Sequence, residues 1–151
     1  MVNPDRGVHI DGWRADTAVT VDLSGNAELA EASEEALAAA LDVVEAGVST
    51  GEVGAAVEDV IEGYGFNPVV NLTGHGLGHW EQHTAPNIPN REVSQGATLE
   101  VGDVVAIEPF ATDGPGQVQE GADEGIFPLE RRGAGRDRNA RQALGTVTSA
   151  S

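Results

Sequence analysis

The stretch DRGVHIDGWRAD, residues 5–16, predicts a β-hairpin that carries an aspartate at each end. Asp11-Gly12 is a favoured two-residue hairpin turn, and apolar and polar residues alternate on both sides of it. Residues 5–10 should therefore pair with residues 13–23. This hairpin decides the fold class, because it provides a sheet to which the rest of the chain must add helices.

The register of this hairpin places its two end aspartates on the same face. With Asp11-Gly12 in the turn, Gly7 faces Asp16 and Asp5 faces Ala18. Asp5 and Asp16 are then diagonal neighbours with Cβ atoms about 7 Å apart. Two carboxylates at that separation repel each other unless a cation lies between them, which indicates one or two bound metals. An acidic protein also carries aspartates on a polar hairpin face by chance, so the hairpin alone leaves both interpretations open.

Two helices should follow the hairpin, which makes the chain an α+β protein. Apolar residues repeat with helical period over residues 27–46, and Gly47 is the expected stop. Residues 50–62 form a second apolar stripe, preceded by the capping-box spacing of Ser49. The apolar face of the hairpin is expected to cover a helix; its members are Val8, Ile10, Trp13, Ala15, Val19 and Val21.

Composition restricts the classes of partner. The 151 residues include 25 acidic and 8 basic ones, all eight arginine, for a formal net charge of -17. This charge repels polyanions, so we expect neither nucleic acid nor a membrane as a partner. The absence of cysteine excludes disulfides and thiolate metal sites. The sequence has no apolar stretch long enough to span a membrane and no leader-like N-terminus, so we expect a cytoplasmic protein. Its acidic, lysine-free composition is typical of halophilic proteins, although a GC-rich genome would give the same amino-acid usage.

Three of the four histidines lie in a glycine-rich stretch, GHGLGHWEQH, residues 74–83. The spacing of His75, His79 and His83 by four would stack them on one helix face as a zinc site. Alternating glycines make a helix improbable there, so the even spacing should be accidental, and no glutamate follows His75 in the HExxH manner. An extended segment would instead supply one ligand and hold a second imidazole nearby. Each histidine alone could equally be a hydrogen-bonded structural residue.

Glu108 lies within VVAIEPFAT, residues 104–112, which predicts a buried strand. An ionised carboxylate buried without a partner costs more than such a domain can tolerate, so Glu108 must be paired, protonated or metal-bound. Pro109 cannot donate to a sheet ladder, which indicates that the strand stops at the glutamate. Together with two aspartates and a histidine, Glu108 completes a ligand set suited to manganese, iron, cobalt or zinc.

Three motifs together resemble the type II methionine aminopeptidases, especially the archaeal ones: RGVHIDGWRADTAVTV (6–21), NLTGHGLGHWEQHTAPNIPN (71–90) and GDVVAIEPFAT (102–112). The similarity extends from Met1 to Leu144. It implies the pita-bread fold, in which curved antiparallel sheet backed by helices encloses two divalent ions of cobalt, manganese, iron, zinc or nickel. It also implies removal of the initiator methionine from new polypeptides by a monomeric hydrolase.

The resemblance also implies a role for each matched residue. Asp5 matches the aspartate that chelates one metal, and Asp16 matches the aspartate that bridges both. His75 matches the single histidine ligand. Glu108 matches a glutamate ligand that also carries protons during catalysis. His83 matches a histidine that contacts the substrate and steadies the reacting carbonyl.

Departures from the family predict a fragment truncated at both ends. Residues 1–112 would form an incomplete catalytic core, and residues 113–151 a poorly ordered tail leading towards the helical insertion of type II enzymes. No glutamate follows Glu130, so the fifth ligand, a bridging glutamate, would be absent and activity in question. The alternatives are an inactive gene remnant and a non-catalytic binding module on the same fold. The retained ligands argue against the binding module.

Overall fold

The computed structural model describes residues 1–119, which form two helices and seven short strands. All strand pairs are antiparallel, in sheets ordered β1-β2, β3-β7 and β5-β4-β6. The predicted α+β class with antiparallel sheet backed by helices is confirmed. The elements are β1 (Asp5–Ile10), β2 (Trp13–Ala18), α1 (Ala27–Val43), α2 (Thr50–Gly63), β3 (Asn67–Pro68), β4 (Gly74–Gly78), β5 (Glu81–Ile88), β6 (Val105–Ala106) and β7 (Ala111–Thr112).

The β1–β2 hairpin has the predicted register. Gly7 pairs with Asp16 and Asp5 with Ala18, across a turn in which Asp11 and Gly12 have φ values of 49° and 86°. Positive φ at both turn residues matches the right-handed twist of the two strands. β2 ends at Ala18 instead of residue 23.

The expectation that the apolar face of the hairpin covers a helix is wrong for the described part of the chain. Val8, Ile10 and Trp13 are 65%, 79% and 63% exposed. The helices bury their apolar sides elsewhere, because α1 and α2 pack against each other and against β3, β5 and β7.

The two helices begin where they were predicted to begin. α2 is capped by a capping box, in which Ser49 Oγ accepts from the N–H of Gly51 at 3.2 Å and Glu52 Oε2 accepts from the N–H of Ser49 at 2.9 Å. α1 ends at Val43, earlier than the expected stop at Gly47, because Val44 already takes an extended conformation.

The core lies between the helices and the three-stranded sheet. Small residues of α1 let α2 approach closely, and Ile88 at the end of β5 joins them. The members of this cluster are Ala36, Ala40, Val53, Val57, Ile61, Ile88 and Leu99. This core fixes β5, and through it β4, in place.

Residues 104–112 do not form the single buried strand that was predicted. Only β6 and β7 are strands, Ala106 is buried, and Val104 is 46% exposed. β6 pairs with β4 and β7 pairs with β3, so the chain must leave one sheet and join another between them. Glu108 lies in this crossing, where Pro109 has no N–H for a ladder.

Residues 113–119 contain neither helix nor strand but are tied to β3 and to the loop between β3 and β4. Asn67 Nδ2 donates to the carbonyl of Gly114 at 2.9 Å, and Asn71 exchanges two hydrogen bonds with the backbone of Val118 at 2.7 and 3.0 Å. The rest of the predicted tail lies outside the described residues. Neither described helix is long and apolar enough to cross a membrane.

Candidate metal centre

Asp16, His75 and Glu108 come from three separate parts of the fold and meet at one point. Each offers a ligand atom, and the three atoms lie within 4.8 Å of one another. His75 Nε2 is 3.0 Å from Glu108 Oε1 and 3.7 Å from Asp16 Oδ2. We call these residues the Asp16–His75–Glu108 cluster.

The imidazole of His75 is held in one orientation. Its Nδ1 lies 3.0 Å from the carbonyl oxygen of Gly76. Because a carbonyl only accepts, Nδ1 carries the proton in this contact and Nε2 faces the two carboxylates. A histidine whose Nδ1 is held by a backbone carbonyl and whose Nε2 faces carboxylates has the arrangement of a metal ligand.

Glycines of β4 allow its neighbouring strands to close around His75. A Cβ at Gly74 would collide with the carbonyl oxygen of Ala106 in β6, and a Cβ at Gly76 would collide with the carbonyl oxygen of Ala85 in β5. His75, between these glycines, is only 5% exposed. The glycine-rich sequence therefore serves close strand packing, which brings Glu108 and His75 together.

The surroundings of Glu108 fit a divalent cation. Burial raises the pKa of the Glu108 carboxyl above its ordinary value of 4.5; the His75 and His83 imidazoles lower this pKa, whereas the Asp16 and Asp5 charges raise it. The Glu108 side chain is 32% exposed, so it is less buried than the sequence predicted. Several carboxylates around one imidazole, with too little positive charge among them, are a donor set for a hard or borderline ion.

Asp5 stands apart from the other predicted ligands. It lies exposed at the beginning of β1, and its oxygens are not among the mutually close ligand atoms. Its charge nevertheless acts on the Glu108 carboxyl. The structure thus brings together three of the four predicted metal ligands and leaves the fourth beside them.

The three histidines have different surroundings, as expected for an extended segment. The ring of His83 meets that of His75 edge to face, with centroids 4.2 Å apart, and His83 is exposed. His79 lies in the turn between β4 and β5, where its Nε2 donates to the carbonyl of Asp11 at 2.8 Å. Only His75 and His83 belong to one site, so the even spacing is accidental.

Two residues at this site were not predicted, Gln82 and Arg14. Gln82 Nε2 donates to Asp16 Oδ2 at 2.8 Å, and Arg14 Nη1 donates to Gln82 Oε1 at 2.8 Å. This amide lies beside Gly7, where a Cβ would be 3.6 Å from Gln82 Nε2. The alternation of β2 already places Arg14 on the face of Asp16, whereas no local signal connects Gln82 to it.

Comparison with known proteins agrees with this geometry. The model of Metallopeptidase family M24 matches residues 1–135. The chain belongs to this family. M24 proteins are metallopeptidases, and the Asp16–His75–Glu108 cluster of this M24 chain is a possible site for the divalent metal.

Relatives of this M24 chain include archaeal enzymes. It is 52% identical over 147 residues to a methionine aminopeptidase of Archaeoglobus fulgidus, covering 97% of the chain and 50% of the relative. It is 41% identical over 149 residues to that of Methanocaldococcus jannaschii, covering 98% and 51%. The crystal structure of methionine aminopeptidase from Thermotoga maritima matches with a TM-score of 0.72 and 32% identity, covering 80% of the chain and 50% of that structure.

These matches confirm the resemblance to archaeal methionine aminopeptidases and the pita-bread fold expected from the three motifs. The M24 chain spans about half the length of the curated relatives it matches.

Proposed function

We propose that this M24 chain carries the metal site of a methionine aminopeptidase, which hydrolyses the N-terminal methionine from new polypeptides. The observation that carries the proposal is the Asp16–His75–Glu108 cluster in a chain so similar to archaeal methionine aminopeptidases. The cluster supports a divalent metal site, and the similarity to methionine aminopeptidases supports the reaction.

The proposed metal ligands are Asp5, Asp16, His75 and Glu108, which would hold two divalent ions. Three carboxylates and one imidazole are oxygen and nitrogen ligands, which suit manganese, iron, cobalt, zinc or nickel. Bound there, such ions would polarise the scissile carbonyl and lower the pKa of a water molecule. Asp16 would help to hold both ions, as the aspartate that it matches does; its Oδ2 lies 3.7 Å from His75 Nε2, which supports this role.

Glu108 and His83 are the proposed catalytic residues. The Glu108 carboxylate lies in the cluster that would hold the metal, where it is suited to carry a proton to the leaving amine. His83 is exposed beside His75, where its ring can contact the substrate carbonyl from the solvent side. The carboxylates of the site would attract the positively charged amine of the substrate.

The proposal extends to where the protein acts. Newly made polypeptides are found in the cytoplasm, so we propose that the protein acts there. The net charge of -17 without lysine suits a cytoplasm of high salt, where screening within about 3 Å at 1 M reduces self-repulsion. We propose that neither nucleic acid nor a membrane is a partner, because the acidic protein would be repelled by their negative charge. As in the family that it resembles, we propose a monomer.

The test measures methionine release from the peptide Met-Ala-Ser by the 151-residue chain in high salt. The chain is stripped with a chelator and reloaded with manganese or cobalt. Release should depend on the metal and be lost in Asp16→Asn. The matched control, Asp59→Asn, changes an exposed aspartate of α2 and should leave release unchanged. A folded, metal-loaded chain that releases no methionine overturns the proposal.

A further inference from the structure

A chain of hydrogen bonds from Arg14 through Gln82 ends on Asp16 Oδ2, the carboxylate oxygen that also faces His75. Arg14 Nη1 donates to Gln82 Oε1 and Gln82 Nε2 donates to Asp16 Oδ2, both at 2.8 Å. Arg14 Nη2 also donates to the carbonyl oxygen of Trp80 at 3.1 Å. Neither the reaction nor the ligand set derived above uses Arg14 or Gln82.

The chemistry of the groups determines the direction of this chain. A guanidinium can only donate, so Gln82 must direct its amide oxygen towards Arg14. Its NH₂ group then faces Asp16, whose carboxylate can only accept when ionised. Arg14 therefore selects the one amide orientation in which Gln82 supplies a donor to Asp16.

The fold leaves Asp16 dependent on this donor. Its side chain is only 10% exposed, so little water reaches the carboxylate. His75 Nε2 is 3.7 Å from the same oxygen, Oδ2, which is too long for a hydrogen bond. Gly7, which pairs with Asp16 in the hairpin, has no side chain to occupy the place of the Gln82 amide.

We propose that Arg14 and Gln82 are positioning residues that orient the Asp16 carboxylate for the divalent metal and so determine how tightly the metal is bound. This inference rests on the proposed function, since it assigns Asp16 to a metal. An ionised carboxylate has about four acceptor sites, so one hydrogen bond from Gln82 orients it and leaves sites for cations. Outer partners of this kind orient metal ligands and contribute to metal affinity.

The experiment measures metal binding without turnover. Manganese affinity is measured by calorimetry, and the geometry of the site by the visible spectrum of bound cobalt, for the 151-residue chain. Gln82→Met keeps the length of the side chain and removes the amide. We expect the dissociation constant for manganese to rise about 10- to 100-fold and the cobalt spectrum to change. Gln95→Met, at an exposed glutamine in the loop after β5, is the control and should match the unaltered chain.

Arg14→Lys tests the relay itself. It keeps the positive charge but loses the fork that contacts Gln82 and Trp80 together. We expect a smaller loss of manganese affinity, and no further loss when Arg14→Lys is added to Gln82→Met. Independent, multiplying losses in the double variant would overturn the relay.

Unchanged affinity and cobalt spectrum in folded Gln82→Met would overturn the positioning role. Should Gln82→Met fail to fold, Gln82→Asn provides the same comparison, because it retains the amide but is one methylene too short to reach both partners; unaltered affinity there overturns the inference as well. An unaltered chain that binds no metal overturns the proposed function, and this inference with it. Metal binding that is equal in the unaltered chain and the Gln82 variants overturns only the inference.

Discussion

The sheet that carries His75 and the hairpin that carries Asp16 are stabilised in different ways. β5, which pairs with β4, lies against α2, and Ile61 and Ile88 at this junction are 0% and 1% exposed. The β1–β2 hairpin, in contrast, exposes its apolar face. It is joined to β5 and to the β4–β5 turn by hydrogen bonds: Trp80 N–H donates to the carbonyl of Gly12 at 2.9 Å, and Arg14 and Asp16 bind Gln82. Two exposed ring contacts, His9 with Trp80 and Trp13 with His79, add to these bonds.

The difference teaches that the proposed metal centre would join a region held by apolar packing to a region that exposes its apolar face. His75 is built into the packed region, whereas Asp5 and Asp16 belong to the hairpin. A hydrogen bond formed on folding replaces hydrogen bonds to water, so its net contribution to stability is only about 0.5–1.5 kcal/mol. Burial of a large apolar side chain contributes about 1.5–3 kcal/mol. A metal ion bound by both regions would therefore stabilise mainly the position of the hairpin.

The largest expected effect is on the free energy of unfolding, when the same substitution, isoleucine to alanine, is made in each region. Ile61→Ala creates a cavity in the core and should lower the free energy of unfolding by about 2–5 kcal/mol. Ile10→Ala removes an exposed side chain of the hairpin and should change the free energy of unfolding by less than about 0.5 kcal/mol. Urea denaturation of both variants in the same salt measures the difference. Equal losses would show that the hairpin face is buried after all.

The hairpin and α2 illustrate what local sequence can predict. The Asp11-Gly12 turn and the Ser49 capping box depend on contacts between near neighbours, and both were predicted correctly. Residues 104–112 were predicted wrongly, because their apolar character cannot show that β6 and β7 join different sheets. In the site, the separation of His75 from His79 was predictable, because the alternating glycines exclude the helix that would have stacked them. Gln82 was not, because its contact with Asp16 joins residues 66 positions apart.

A smaller effect is expected when the strand packing around His75 is disturbed. Gly76→Ala places a methyl group against the carbonyl oxygen of Ala85 and should cost about 1–3 kcal/mol of unfolding free energy. It should also weaken manganese binding, since β4 carries His75. Gly7→Ala is the hairpin counterpart; its methyl group would be in ordinary contact with Gln82, 3.6 Å away, so a change within about 0.5 kcal/mol is expected. A Gly7→Ala loss as large as that of Gly76→Ala would contradict this distinction.

The charge of Glu108 should give a smaller, pH-dependent effect. Because burial raises the pKa of Glu108 in the fold, the unfolded chain releases this proton first as pH rises through 4.5. The metal-free chain should therefore lose stability relative to Glu108→Gln as pH rises from below 4.5 to above the raised pKa, and the two should agree at lower pH. Denaturation midpoints across this range measure it. A chain that gains stability relative to Glu108→Gln over the same range would contradict burial as the dominant influence on this carboxyl.

Salt should produce the smallest and least local effect. With a net charge of -17, raising KCl from about 0.1 M to about 1 M shortens the screening length from about 10 Å to about 3 Å and weakens self-repulsion. The urea midpoint should rise with KCl in both the unaltered chain and Ile10→Ala. A midpoint that falls with KCl would argue against adaptation to high salt.

Hydrogen exchange with and without manganese tests the central claim most directly, that one metal site joins the packed region to the hairpin. Backbone amides of β1 and β2 are compared with those of α2 in the metal-free and the manganese-loaded chain. Exchange in the hairpin should slow markedly when manganese binds, and more than in α2, because local opening of the hairpin would have to release the metal. Bound manganese that leaves exchange in β1 and β2 unchanged would contradict the account.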